Sequence, residues 1–121
     1  MAEINLGGAG YNEVATVTTS GTFSVASSGV VQNVTATSTQ TLPATVVGTT
    51  AIYRVGKEGI TLTIAPNASD NIVGNGFTSV DNKAMIFTNQ PAGSYVVLIA
   101  DGTTAGGWCV SRINGVATRQ A

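Results

Sequence analysis

The groups that could do acid–base chemistry in this chain are few and far apart. Its carboxylates are Glu3, Glu13, Glu58, Asp70, Asp81 and Asp101, and it has no histidine. That removes the commonest general base and metal ligand. Neither a Ser-His-Asp nor a Cys-His nucleophile arrangement can be assembled without it. Glycosidase-type chemistry needs two carboxyl groups within about 10 Å, and the pair a fold could converge is Asp70 with Asp81. The same pair, joined by the amide oxygens of Asn71 and Asn75, offers the oxygen ligands of a calcium site. The plainer reading is that these residues cap turns. Cys109 stands beside Trp108 in an apolar run, where a buried, inert thiol is expected. Gly7-Gly8-Ala9-Gly10 follows no strand, opens no helix and has no Lys-Ser/Thr behind it, so it is not a phosphate loop. Tyr11, Tyr53, Tyr95 and Trp108 could stack on sugars, or could simply fill a core or an interface, with Trp108 expected as a core anchor. These residues imply a protein that is not an enzyme and carries no cofactor.

The elements that must position these residues are strands. The chain has 121 residues, one domain's worth. Thr and Val, stiff at χ1, dominate it and favour extended backbone. Charged residues are 9% and hydrophobic ones 43%, so the chain can build a core but covers its surface with hydroxyls and amides. So little charge protects poorly against association, which points to a surface covered by partner subunits. A net charge of −1, with five scattered basic residues, excludes phosphate-neutralising nucleic-acid binding. No apolar run approaches the ~18 residues of a membrane span. The start, Met1-Ala2-Glu3-Ile4-Asn5, has neither a basic nor an apolar signal region. With the lone Cys109, this leads to the expectation of a chain made and assembled in a cytoplasm.

Residues 1–13 read as a glycine-rich extended arm that would fray unless it lay on something. Residues 14–121 read as the β-domain. Its strand signals are Val14 to Thr18, Thr22 to Val25, a long alternating run from Val30 to Thr41, Ala51 to Val55, and Ile60 to Ile64. Asn71 to Val73, Lys83 to Thr88, Ser94 to Ala100 and Trp108 to Ile113 follow. Pro43 and Pro66 stop their runs. Gly74-Asn75-Gly76 marks a turn, and Asp101-Gly102 a two-residue hairpin turn. Short strands at regular spacing, with no internal repeat, predict a single-domain, all-β, jelly-roll-like sandwich or barrel.

The punctuation of residues 41–110 has a recognisable order. Thr41-Leu42-Pro43 and Gly48 precede Tyr53-Arg54-Val55, then Ile60-Thr61-Leu62-Thr63-Ile64-Ala65-Pro66 and Asp70-Asn71-Ile72-Val73-Gly74. It closes with Tyr95-Val96-Val97-Leu98, Asp101-Gly102 and Trp108-Cys109-Val110. This order resembles the β-domain of tailed-bacteriophage virion proteins: capsid decoration (cement) proteins, head fibres and tail fibres. The resemblance implies a virion structural protein. In the decoration reading the chain is a homotrimer on the outer capsid surface, assembled in the host cytoplasm, which bridges neighbouring major capsid protein subunits. Its capsid contacts would be the arm residues Ala2, Glu3, Ile4, Asn5, Leu6 and Tyr11. The alternative is a host-recognition, glycan-binding module of a head or tail fibre. A chain opening at Met1, with about a dozen residues ahead of its first strand and no shaft, is expected to be a decoration subunit.

Overall fold

The computed structural model describes residues 13–67, 70–77, 83–102 and 107–121. Among them the strands are β1 (Val14–Val17), β2 (Gly21–Thr22), β3 (Val31–Val34), β4 (Ser38–Thr41), β5 (Thr50–Val55) and β6 (Thr61–Ala65). They continue with β7 (Asn71–Val73), β8 (Met85–Thr88), β9 (Tyr95–Ile99), β10 (Gly107–Asn114) and β11 (Thr118–Arg119). One sheet has the order β1-β3-β5-β9-β10-β7 and the other β11-β8-β6-β4-β2. The molecule is all-β, as its Thr and Val content requires.

Up to β6, successive strands alternate between the two sheets. β1, β3 and β5 therefore pair in parallel, and so do β2, β4 and β6. Each circuit of both sheets is one coil of a short solenoid. Val14 pairs with Val31 and Val31 with Ile52, offsets of 17 and 21 residues. In the other sheet Gly21 pairs with Gln40 and Ser38 with Leu62, offsets of 19 and 24. Coils of unequal length leave no repeat in the sequence. β7 then lands beyond β5, and the antiparallel β9 and β10 fill the gap between them. Five of the nine described pairings are parallel. A jelly roll is built from antiparallel strands, so the jelly-roll-like sandwich that strand spacing suggested is here a sandwich wound largely in parallel. Spacing reports strand length and facing, not which strand is the partner.

The corners differ most from expectation. The run from Val30 to Thr41 is not one strand but β3 and β4, with Thr35-Ala36-Thr37 carrying the chain from one sheet to the other. Alternation survives on both sides of the bend, which hides it. Residues 22–25 are not a strand either: β2 ends at Thr22, and a 3-10 helix over Val25–Ser27 is capped by Ser24, whose Oγ accepts from the Ala26 N–H at 3.2 Å. β9 and β10 are joined by residues 100–106, longer than the two-residue turn expected at Asp101-Gly102. At Gly74 the turn is tight: Gly74 and Phe77 exchange backbone bonds of 2.9 and 3.0 Å. Asn75 (φ +51°) and Gly76 (φ +94°) both take the left-handed conformation of a type I′ turn.

Every corner strands backbone N–H groups that no ladder takes. Hydroxyls one coil earlier accept several of them. Ser20 Oγ accepts from Thr39 N–H at 2.9 Å, Ser28 Oγ from Thr50 N–H at 2.8 Å, and Thr37 Oγ1 from Thr61 N–H at 3.0 Å. The buried Gln40 amide donates to the Thr19 carbonyl at 2.9 Å and to Ser38 Oγ at 3.0 Å, tying the first corner to β4.

The core lies between the sheets. Ala51, Tyr53, Val55, Val96, Leu98 and Trp108 enter it from one side, and Leu62, Ile64, Met85 and Phe87 from the other. Leu42, ahead of the strand-ending Pro43, is fully buried. Tyr53 packs against Phe23 with ring centroids 6.0 Å apart. Trp108, fully buried, sits in register with Ile72 of β7, and its indole N–H has no hydrogen-bond partner among the described residues.

Two outcomes follow from this core. Trp108→Ala is expected to cost about 3–5 kcal/mol in denaturant unfolding followed by circular dichroism. Trp108→Phe should cost far less, because the unpaired indole N–H leaves with the ring. Burial pushes the Tyr53 phenol well above its ordinary value of 10.0. Above that pH the unfolded chain loses this proton and the native chain keeps it, so the native state is the one that binds more protons and stability falls as pH rises. The slope attributable to Tyr53 approaches about 1.4 kcal/mol per pH unit. Stability curves of wild type and Tyr53→Phe from pH 9 to 12 should diverge, with the variant losing less.

Candidate functional site

The arm residues Ala2, Glu3, Ile4, Asn5, Leu6 and Tyr11 lie outside the described residues, as does Asp81. The oxygen cluster considered for calcium is not drawn together where it can be seen. Asn71 opens β7 and Asn75 lies past its end, about 10 Å or more away along extended backbone. Among the described residues no group of three or more His, Cys, Asp or Glu could hold a metal ion. The aromatic residues also separate: Tyr53 and Trp108 are buried in the core, while Tyr95 is half-buried. Cys109 is half-buried too, not buried as expected. Trp108 and Val110 point inward, so the thiol between them faces away from the core.

Two surfaces stand out. The first follows from the winding. Because β1, β3, β5, β7 and β10 all run one way, the connections that enter them meet at one end of the sandwich. Among the described residues these are 23–30, 42–49, 66–67 with 70, and 100–102, with the chain entering β1 beside them. They are braced: Gly29 N–H donates to Thr50 O at 3.0 Å, Gly48 N–H to Ala100 O at 2.8 Å, Ala100 N–H to Thr49 O at 3.0 Å, and Val31 N–H to Glu13 O at 3.0 Å. On this braced end Val25, Val46 and Val47 are exposed, the last to 72%. A Cβ on Gly102 would stand 3.0 Å from Val47 Cγ2, so Gly102 packs against the 42–49 connection.

The second surface is the outer face of the larger sheet. Register places Val14, Val31, Ile52, Val97 and Arg112 in one row across it. The next row is Thr16, Asn33, Arg54, Tyr95 and Asn114. Val31 and Ile52 are almost fully buried yet stand outside the core cluster, and they floor a groove of about 670 Å3. Asn33, Arg54, Tyr95 and Arg112 line its sides. Arg54 Nη1 donates to Asn33 Oδ1 at 2.6 Å, which fixes the guanidinium. A Cβ at Gly56 would fall 2.7 Å from that same Oδ1, so glycine there leaves room for the Asn33 amide. Reading residues by type missed this groove. Its one signal was Arg54, a cation between Tyr53 and Val55 in a mostly apolar strand.

No known family model, curated protein or solved structure matches this chain.

Proposed function

We propose that this chain is a bacteriophage capsid decoration protein. As a homotrimer it would bind the outer surface of the assembled head and stabilise the contacts between major capsid protein subunits. The observation that carries this reading is the braced end of the sandwich. Exposed Val25, Val46 and Val47 share that end with the point where residues 1–12 join β1. Burying a valine side chain contributes about 1.5 kcal/mol, so a few such contacts per subunit, repeated around a trimer, suit a protein that must hold a lattice. The mechanism is mass action: a ligand that binds only the assembled shell stabilises that shell. The low charge, 9% of residues, fits a surface that is largely covered in its working state.

Light scattering of the purified protein is expected to give a trimer, and the protein should rebind empty heads of the parent phage in a sedimentation assay. Removing residues 2–11 should abolish head binding and leave the trimer intact. Val46→Ser with Val47→Ser should weaken head binding at least tenfold. A monomer that leaves heads bare would sink the proposal, and undiminished binding by the truncated protein would remove the arm from it.

A further inference from the structure

We infer that the groove on the outer face of the larger sheet binds an acidic saccharide, with Tyr95 as the stacking platform and Arg54 and Arg112 as carboxylate forks. The inference does not depend on head binding. Two guanidinium groups flank one aromatic residue: Tyr95 of β9 is in register with Arg54 of β5 and with Asn114 of β10, and Arg112 lies one step along β10 on the same face. The two arginine Cα atoms are then about 10 Å apart across the strands and about 7 Å along them. That spacing lets one ring rest on Tyr95 while carboxylates on it and on its neighbour reach both cations.

Each group has a suitable state for this task. Arg54 uses one N–H on Asn33 and keeps the rest of its planar fork for a bidentate carboxylate. Arg112 is exposed and has no hydrogen bond or salt bridge among the described residues. No carboxylate is among the described groove-lining residues, so among them the positive charge is uncompensated and complementary to an anion. A volume of about 670 Å3 is in the range of small-ligand sites.

The position of the groove selects among anions. A bound peptide strand draws its affinity from backbone bonding at a sheet edge. The groove runs from Val14 on the edge strand β1 to Arg112 on β10, whose pairing with β7 stops at Cys109, but its centre lies over β3, β5 and β9, interior strands that pair on both sides. Over that centre, where Arg54 and Tyr95 stand, recognition must come from side chains, through stacking and carboxylate forks. Nucleic acid would demand many more cations than two.

The test is an amide NMR titration of the whole protein with trigalacturonate, its neutral methyl ester and a short glutamate peptide. Trigalacturonate should shift the Asn33, Arg54, Gly93, Tyr95 and Arg112 amides, with a Kd on the order of 1 mM. The methyl ester and the glutamate peptide should each bind at least tenfold more weakly. Arg112→Gln and Tyr95→Ala should each cost about tenfold, or 1.4 kcal/mol. Tyr95→Phe, which preserves the ring and the fold, should bind as wild type does. No groove shifts with trigalacturonate at about 10 mM, equal binding of the ester, or equal binding of the glutamate peptide would each overturn the inference.

Discussion

A chain that crosses repeatedly between two sheets must find partners for the backbone N–H groups it strands at each crossing. Everything else in this molecule rests on that constraint. A lost bond at a corner costs about 1 kcal/mol where water can reach, and more where it cannot. The solution is a hydroxyl from the preceding coil: Ser20 for Thr39, Ser28 for Thr50 and Thr37 for Thr61. The separations, 19, 22 and 24 residues, are each close to one circuit of the two sheets. The abundance of Ser and Thr is therefore more than a preference for strands, since these side chains lace one coil to the next.

Once the coils are laced, parallel pairing has a spatial consequence. Antiparallel neighbours would distribute their connections between both ends of a sandwich. Parallel coils bring each crossing from the smaller sheet to the larger to the same end. That end collects exposed valines on loops tied to one another by backbone bonds, so their apolar surface is held in place before any partner arrives. An interface ordered in advance loses less side-chain and loop entropy on binding. The fold thus gathers on one end exposed apolar side chains that are scattered in sequence.

The same sheet separates its two faces strictly. In β5, Ala51, Tyr53 and Val55 join the core while Ile52 and Arg54 lie on the other side. Alternation of this kind normally leaves a polar outer face. Here Val31 and Ile52 are apolar and covered on that face, with a hydrogen-bonded arginine beside them. An apolar floor with cations at its rim has no use in holding the two sheets together, and this sets the groove apart from the core behind it.

The sequence by itself determined what is local. Thr and Val dictated strands, Pro43 and Pro66 ended β4 and β6 close behind them, and Gly74-Asn75-Gly76 specified a turn whose φ angles those residues tolerate. The facing of Ile60, Leu62 and Ile64 toward the core also followed from alternation alone. The lack of histidine settled which nucleophile arrangements are impossible. Tertiary structure decided what is relational. Alternation has the same form on either side of a bend, so the corner at Thr35-Ala36-Thr37 could not be read from it. Coils of unequal length erased the repeat that would have announced parallel winding. Arg54, Tyr95 and Arg112 sit far apart along the chain and meet only through the register of β5, β9 and β10. Register depends on which strands become neighbours, and that is set by packing between the sheets rather than by any local run of residues.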